Sequence, residues 1–325
     1  IGVIVTVLIA LACGGLAFLR LKPDFRARTR VERTVMAILL LASLVAILTT
    51  FGIFASLVFE TVRFFGMVSP VDFLLGTKWG PDTMVSPEAV DPTRYGALPL
   101  FWGTIFIGAI IAMIVAIPLG LMSAIYLTQY ADPRVRTWVK PLLEILAGVP
   151  TVVYGYFAAL TVAPLIRDAA VAIGISNAST ESALAAGVVM GVMIIPFVSS
   201  MADDSMAAVP SAMRDGSLAM GATTSETIKR VLIPAALPGV VAGILLAVSR
   251  AIGETMIVVM ATGNTAGMDA TPFSGMRTLS ANIAVELPEA AAGHTHYRAL
   301  FLGACCLFLL TFVINTLAEV LRQRL

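Results

Sequence analysis

The stretch TVMAILLLASLVAILTTFGIFASLV, Thr34–Val58, runs for 25 residues without a charged side chain. A helix needs about 20 such residues to cross the hydrocarbon core of a bilayer. Six further apolar segments lie at Ile1–Leu19, Leu98–Leu127, Pro141–Leu165, Ala183–Ser199, Pro238–Thr262 and Ala299–Leu321. Period-2 alternation with regular turn signals is absent, which sets aside a transmembrane β-barrel. The pattern therefore predicts an all-α integral membrane protein with about seven spans. Composition agrees: the 325 residues are 58% hydrophobic and 13% charged, against about 25% charged in a soluble domain. Disorder, a coiled coil and a nucleic-acid-binding domain are excluded on that ground, and a soluble enzyme is disfavoured.

The loops between spans alternate in basic content. Of 21 Lys and Arg, fourteen fall in one alternate set: residues 20–33, Arg134, Arg136 and Lys140, then Arg214, Lys229 and Arg230, and finally Arg322 and Arg324. Six are spread over the longer loops of the other set, and one, Arg250, lies inside a span. The positive-inside rule makes the first set cytoplasmic, with Ile1 outside and the C-terminus inside. The chain opens at Ile1 in mid-run without Met, which reads as a truncated start. Cys13, Cys305 and Cys306 sit in apolar runs and read as small buried hydrophobes.

The pattern divides the chain into an extra N-terminal span with a basic loop (1–33), a first core span (34–59), an external amphipathic segment (60–97) and a transmembrane domain (98–325). The external segment, with Phe64, Phe65, Phe73, Leu74, Leu75 and Trp79 among Gly and Pro, is expected on the membrane surface or over the bundle mouth. The cytoplasmic loop 202–234 carries helix signals. Pro210 suits a first turn, Gly221 a stop after Met220, and Thr223-Thr-Ser-Glu226 a capping box opening a second short helix that ends near Pro234. With Met206, Met213, Leu218 and Met220, this makes an amphipathic knob suited to a groove in a partner.

Arg250 is placed about halfway along its span, with Glu254 four residues on and so on the same helix face. A mid-membrane Arg costs at least ~2.5–3.5 kcal/mol and marks a functional site by default. Two readings stay open. One is a structural ion pair that pins helix packing. The other is an anion path, with a guanidinium matched to an oxyanion and Glu254 either holding Arg250 or accepting from a protonated phosphate. Thr262, Gly263, Asn264 and Thr265 would add neutral donors near the outside mouth.

Smaller signals have plainer readings. Gly187…Gly191 and Gly239…Gly243 suit close helix packing, within the chain or against another subunit. Pro118, Pro150 and Pro196 are expected to kink spans, and Glu144 to pair with Lys140. His294 and His296 lack the carboxylate or cysteine support of a metal site. The chain has no Gly-x4-Gly-Lys-[Ser/Thr] phosphate loop, no His-Glu-x-x-His helix and no Gly-x-Ser-x-Gly elbow. An ATPase driving it would be a separate chain.

Asp215-Gly216-Ser217-Leu218-Ala-Met220-Gly221, followed by Ile228, Ile233-Pro234 and Pro238-Gly239, resembles the EAA loop of ABC-transporter permeases. Asp215 stands for Glu there, and Gly216 and Ser217 for two alanines; Gly inside a helix costs about 1 kcal/mol relative to Ala. Ser249-Arg-Ala-Ile-Gly-Glu-Thr-Met256, continuing to Gly263-Asn-Thr265, is similar to the matching helix of phosphate-specific ABC permeases of the PstC type. Tyr95–Thr104 and Gly148–Gly155 match that subfamily too. The resemblance covers about Phe73–Leu321 and implies a type I ABC importer (MetI-like) helix bundle in the cell inner membrane.

It further implies a substrate path at Arg250, Glu254, Thr255 and Asn264, and ATPase coupling through Asp215–Gly221 and Pro234. The implied partners are a PstA-like sister permease, a PstB-like ATPase dimer carrying ATP and Mg, and a PstS-like phosphate-binding protein, with no cofactor in this chain. Permeation of sulfate or molybdate, an ion-coupled secondary transporter, and a membrane enzyme remain alternatives; the last lacks a nucleophile–base constellation.

Overall fold

The computed structural model describes residues 2–19, 27–80 and 91–324. The chain divides into two units, Ile1–Ser56 and Leu57–Leu325. The first unit is helical: α1 spans Gly2–Leu19, and α2, Ala27–Phe65, runs on into the second unit. The second holds α3 (Pro70–Leu75), α4 (Leu98–Tyr130), α5 (Pro133–Ala147), α6 (Thr151–Ala172), α7 (Ala183–Ala207) and α8 (Ser211–Ala219). It continues with α9 (Thr224–Ile252), α10 (Met256–Ala261), α11 (Leu279–Glu286) and α12 (Thr295–Arg324). Among the described residues there is no named strand, only two isolated bridges.

Among the described residues, six helices are long and apolar enough to cross a membrane: those of α2, α4, α6, α7, α9 and α12. The chain is thus a multi-pass membrane protein, with six such helices among the described residues. The first apolar segment forms α1, an 18-residue helix. Helix α2 also takes in residues assigned above to the basic loop and to the external segment.

Two expected spans are interrupted. The segment Pro141–Leu165 is not one helix, because α5 ends at Ala147 and α6 starts after Pro150, whose backbone is extended. Proline fixes its own φ and pushes the preceding residue out of the helical region, so Gly148-Val149-Pro150 separates two helices where a kink was expected. Pro118 and Pro196 do lie inside α4 and α7. The segment Pro238–Thr262 breaks at Gly253-Glu254-Thr255, between α9 and α10.

The core sits where α4, α7, α9 and α10 meet. Ile107 and Met113 of α4 pack with Met190 and Ile194 of α7, Ala247 and Ala251 of α9, and Ile257 and Val258 of α10. The two glycine patterns place the backbones. A methyl group on Gly191 would lie 2.7 Å from Val115 Cβ of α4, and one on Gly239 would lie 2.5 Å from Ser205 Oγ of α7. Both stripes are therefore spent on packing within the chain.

A second cluster covers the opposite end of the bundle from α8. Phe64, Phe73, Trp79 and Tyr95 stack edge to face with centroids 5.5–6.5 Å apart, over Ala299 and Leu302 of α12. The aromatic segment thus packs over the bundle, one of the two placements expected for it. Of the cysteines, Cys13 is exposed and Cys305 and Cys306 half-buried, so the expectation of burial fails for Cys13.

Candidate functional site

Arg250 stands in the last turn of α9, exposed at the chain's surface. Its guanidinium carbon is 6.0 Å from the centroid of the Phe197 ring on α7, at the outer limit of a cation–π contact. It opens into a cavity of about 260 Å³ that Lys140 and Glu144 of α5 and Ser199, Ser200 and Asp203 of α7 also line. A charged side chain in a spanning helix faces a protein partner or water and not lipid. Arg250 therefore looks into this cavity.

Glu254 does not join it. The expected i,i+4 pair requires a continuous helix, and α9 has already ended at Ile252. Glu254 Oε1 instead accepts from the N–H groups of Met256 (3.1 Å) and Ile257 (3.4 Å), capping the start of α10. Free N–H groups at a helix start are satisfied by such an acceptor, and negative charge is favoured there. Ser280 Oγ donates to the Glu254 carbonyl at 2.8 Å and ties the break to α11. Thr255 Oγ1 donates to Gly253 O at 3.2 Å. Irregular backbone between two half-helices at membrane depth is tolerated only inside protein or against a water-filled cavity.

The neutral donors beyond α10 are committed to the turn. Thr262 Oγ1 donates to Val258 O at 2.8 Å and Asn264 Nδ2 to Val259 O at 3.0 Å. Asn264 has φ +51°, a left-handed position that Asn tolerates, and its carbonyl accepts from Arg277 Nε at 2.7 Å. Arg250 and Asn264 are therefore placed in different surroundings.

The turn leads to a polar network that no local pattern announces. Glu286 accepts from Arg277 Nη1 at 2.6 Å, Asn282 Nδ2 at 3.1 Å and Trp79 Nε1 at 3.2 Å. The Arg277 and Glu286 side chains are 18% and 16% exposed. His296 Nε2 lies 3.5 Å from the same carboxylate but makes no hydrogen bond to it. The carboxylate nearest His296 is thus Glu286 of α11.

At the other end, Lys140 pairs with Asp203 and not with the expected Glu144. Its Nζ is 2.7 Å from Asp203 Oδ2, and Arg136 Nη2 is 3.2 Å from Oδ1. Beyond this lies the α8–α9 hairpin. Helix α8 starts after Pro210 and ends at Ala219, and Gly221 turns the chain at φ +87°. Thr223 and Glu226 form the full capping box, and Ser217 Oγ and Thr227 Oγ1, 2.9 Å apart, join the two helices.

Met213, Leu218 and Met220 are exposed on the hairpin, whereas Met206 is buried inside α7. Asp215 and Gly216 are exposed as well. Pro234 does not end the second helix. A wide turn at Ile228–Leu232, in which the Ile233 N–H reaches Ile228 O, precedes it, and α9 continues to Ile252. Proline has no N–H and crowds the carbonyl four residues back, and a widened turn at that point accommodates it.

The family described as "Binding-protein-dependent transport system inner membrane component" matches residues 116–325. The "Probable ABC transporter permease protein YqgH" of Bacillus subtilis is 32% identical over 297 residues, covering 91% of each chain. The "Phosphate transport system permease protein PstC 1" of Mycobacterium tuberculosis is 32% identical over 266 residues, covering 75% of this chain and 78% of the relative. Among solved structures, a chain of a bacterial ABC transporter involved in import of the acidic polysaccharide alginate superposes with TM-score 0.56 at 12% identity, over 91% of this chain and 99% of that one.

Proposed function

Because the chain belongs to the binding-protein-dependent transport system inner membrane components, with the type I ABC importer transmembrane fold, we propose that it is the permease subunit of an ATP-driven phosphate importer. The observation that carries the cargo is Arg250, a guanidinium on a spanning helix that has no carboxylate partner among the described residues and opens into a cavity shared with Lys140, Ser199 and Ser200. A tetrahedral oxyanion matches its donor fork. Relatives named as phosphate permeases at 30–32% identity support phosphate over sulfate or molybdate.

The α8–α9 hairpin is the surface through which a cytoplasmic ATPase drives the path. Its exposed Met213, Leu218 and Met220 are the apolar contacts, and its caps keep it rigid enough to transmit movement. Residues Asp215–Gly221 form that surface, and Pro234 sits at the root of the helix leading from it to Arg250. ATP and Mg belong to the ATPase. A sister permease completes the path, and an external binding protein delivers phosphate at the end covered by the aromatic cluster. The hairpin and C-terminus are then cytoplasmic and the membrane is the inner one, as the basic loops favour.

The test is uptake of labelled phosphate, with excess unlabelled sulfate, by cells whose only such system contains this chain. Sulfate-resistant uptake supports the reading. An assembled complex that takes up no phosphate overturns the cargo and leaves the family untouched.

A further inference from the structure

Asp203 of α7, its side chain only 10% exposed, holds two cations from α5, Lys140 and Arg136. Arg136, Lys140 and Glu144 recur every four residues and so share one face of α5. Trp138, Leu142 and Ile145 face the other way and are exposed. Lys140 and Glu144 line the same cavity as Arg250, and among the described residues Glu144 makes no ion pair. One buried carboxylate therefore serves two cations at the edge of the space into which the path guanidinium opens.

We propose that Lys140 is a second oxyanion-binding group on the path, exchanged from Asp203 to the anion as it leaves Arg250. Removing a partner from a buried ion pair is costly because it strands an uncompensated charge. Here Arg136 stays on Asp203 when Lys140 leaves, so that penalty is largely absent. The two donors differ usefully: Arg250 offers a planar fork, and Lys140 a mobile point charge on a flexible stem. The cavity, about 260 Å³, would hold roughly eight or nine waters at ~30 Å³ each, which is room for a partly hydrated phosphate. Glu144, facing the same space, accepts from a phosphate oxygen that carries a proton. Sulfate at neutral pH has no such proton to give, so Glu144 adds selectivity. This is the role that Glu254, committed to capping α10, is not placed to fill.

The inference rests on the phosphate-import reading, and its test separates the two. Phosphate uptake is measured over a range of concentrations in cells carrying the full complex, with assembly followed by copurification of the ATPase. The parent is compared with Lys140→Met, Lys140→Arg and the double variant Lys140→Met/Asp203→Asn. In the assembled Lys140→Met complex the maximal uptake rate falls on the order of tenfold or more, as for loss of one charged hydrogen bond. Lys140→Arg retains most of the rate. The double variant leaves no stranded carboxylate at position 203, and its amide oxygen can still accept from Arg136, whose own side chain is 41% exposed; it assembles and stays as slow as the single one.

Recovery of uptake in the double variant would show that Lys140 serves only to neutralise Asp203, and overturns the proposal, as does a parental rate in Lys140→Met. Where Lys140→Met fails to assemble, the double variant decides between these outcomes. A parent complex without phosphate uptake overturns the cargo reading, and this station with it.

Discussion

Replacing Glu286 by alanine tests the polar network that fastens the aromatic segment. The carboxylate accepts from Arg277, Asn282 and Trp79, and the Arg277 side chain is only 18% exposed. Breaking a buried pair by removing one partner costs about 3–5 kcal/mol. Arg277 keeps two acceptors, the Asn264 carbonyl at 2.7 Å and Asn282 Oδ1 at 3.0 Å, which places the cost near the lower end. About 3 kcal/mol corresponds to about a hundredfold change in a local opening equilibrium.

The opening is local, because Trp79 is the link between the network and the segment that follows α3. Hydrogen exchange of the detergent-solubilised protein reads it directly. The amides of Gly80 and Gly96, which donate to Arg94 O and Lys78 O, should exchange about a hundredfold faster, while those of Met190 and Ile194 in the core stay as in the parent. Unchanged exchange at Gly80 and Gly96, or an equal rise throughout the chain, would refute the reasoning.

The hairpin and the helix crossings give further expectations. Nothing lies within 4 Å of a methyl group placed on Gly216, so Gly216→Ala should stiffen α8 by about 0.5–1 kcal/mol, seen as slower exchange of its amides. Thr223→Ala removes half of the capping box and should cost about 1 kcal/mol, with weaker copurification of the ATPase. Gly191→Leu would drive a side chain against Val115 and the Ala112 carbonyl, 2.7 and 2.8 Å from a first methyl. It should lower the yield of folded protein, since overpacking of this kind typically costs 1–3 kcal/mol or more. Glu254→Gln keeps an acceptor on α10 and should leave thermal stability within about 1 kcal/mol of the parent, Glu254→Ala losing more.

How much the sequence disclosed follows from the range of each interaction. Spans were legible because lipid forces long apolar runs, and the hairpin because its caps are encoded within four residues: Gly221 and the Thr223–Glu226 box lie where the pattern put them. Extrapolating a helix through Gly and Pro failed. Gly148-Val-Pro150 and Gly253-Glu-Thr255 are breaks, so Glu254 leaves the face of Arg250 to which a 3.6-residue period assigned it. Pro234 erred the other way, because a wide turn before it lets the helix continue.

Partners distant in sequence gave no local signal. Trp79 meets Glu286 across 207 residues and Lys140 meets Asp203 across 63. Asp203 could have been noticed as an acid inside a helix otherwise made for the core. Its partner could not, since Glu144 was the nearer choice along the chain.

The central claim is that Arg250 contacts the transported anion. The measurement that tests it most directly is labelled phosphate uptake by Arg250→Gln in complexes shown by copurification to retain their ATPase. The account predicts an assembled complex whose uptake is lost, with Glu254→Gln much less affected, because Glu254 caps a helix. Parental uptake by assembled Arg250→Gln would contradict it and reduce Arg250 to a packing residue over Phe197.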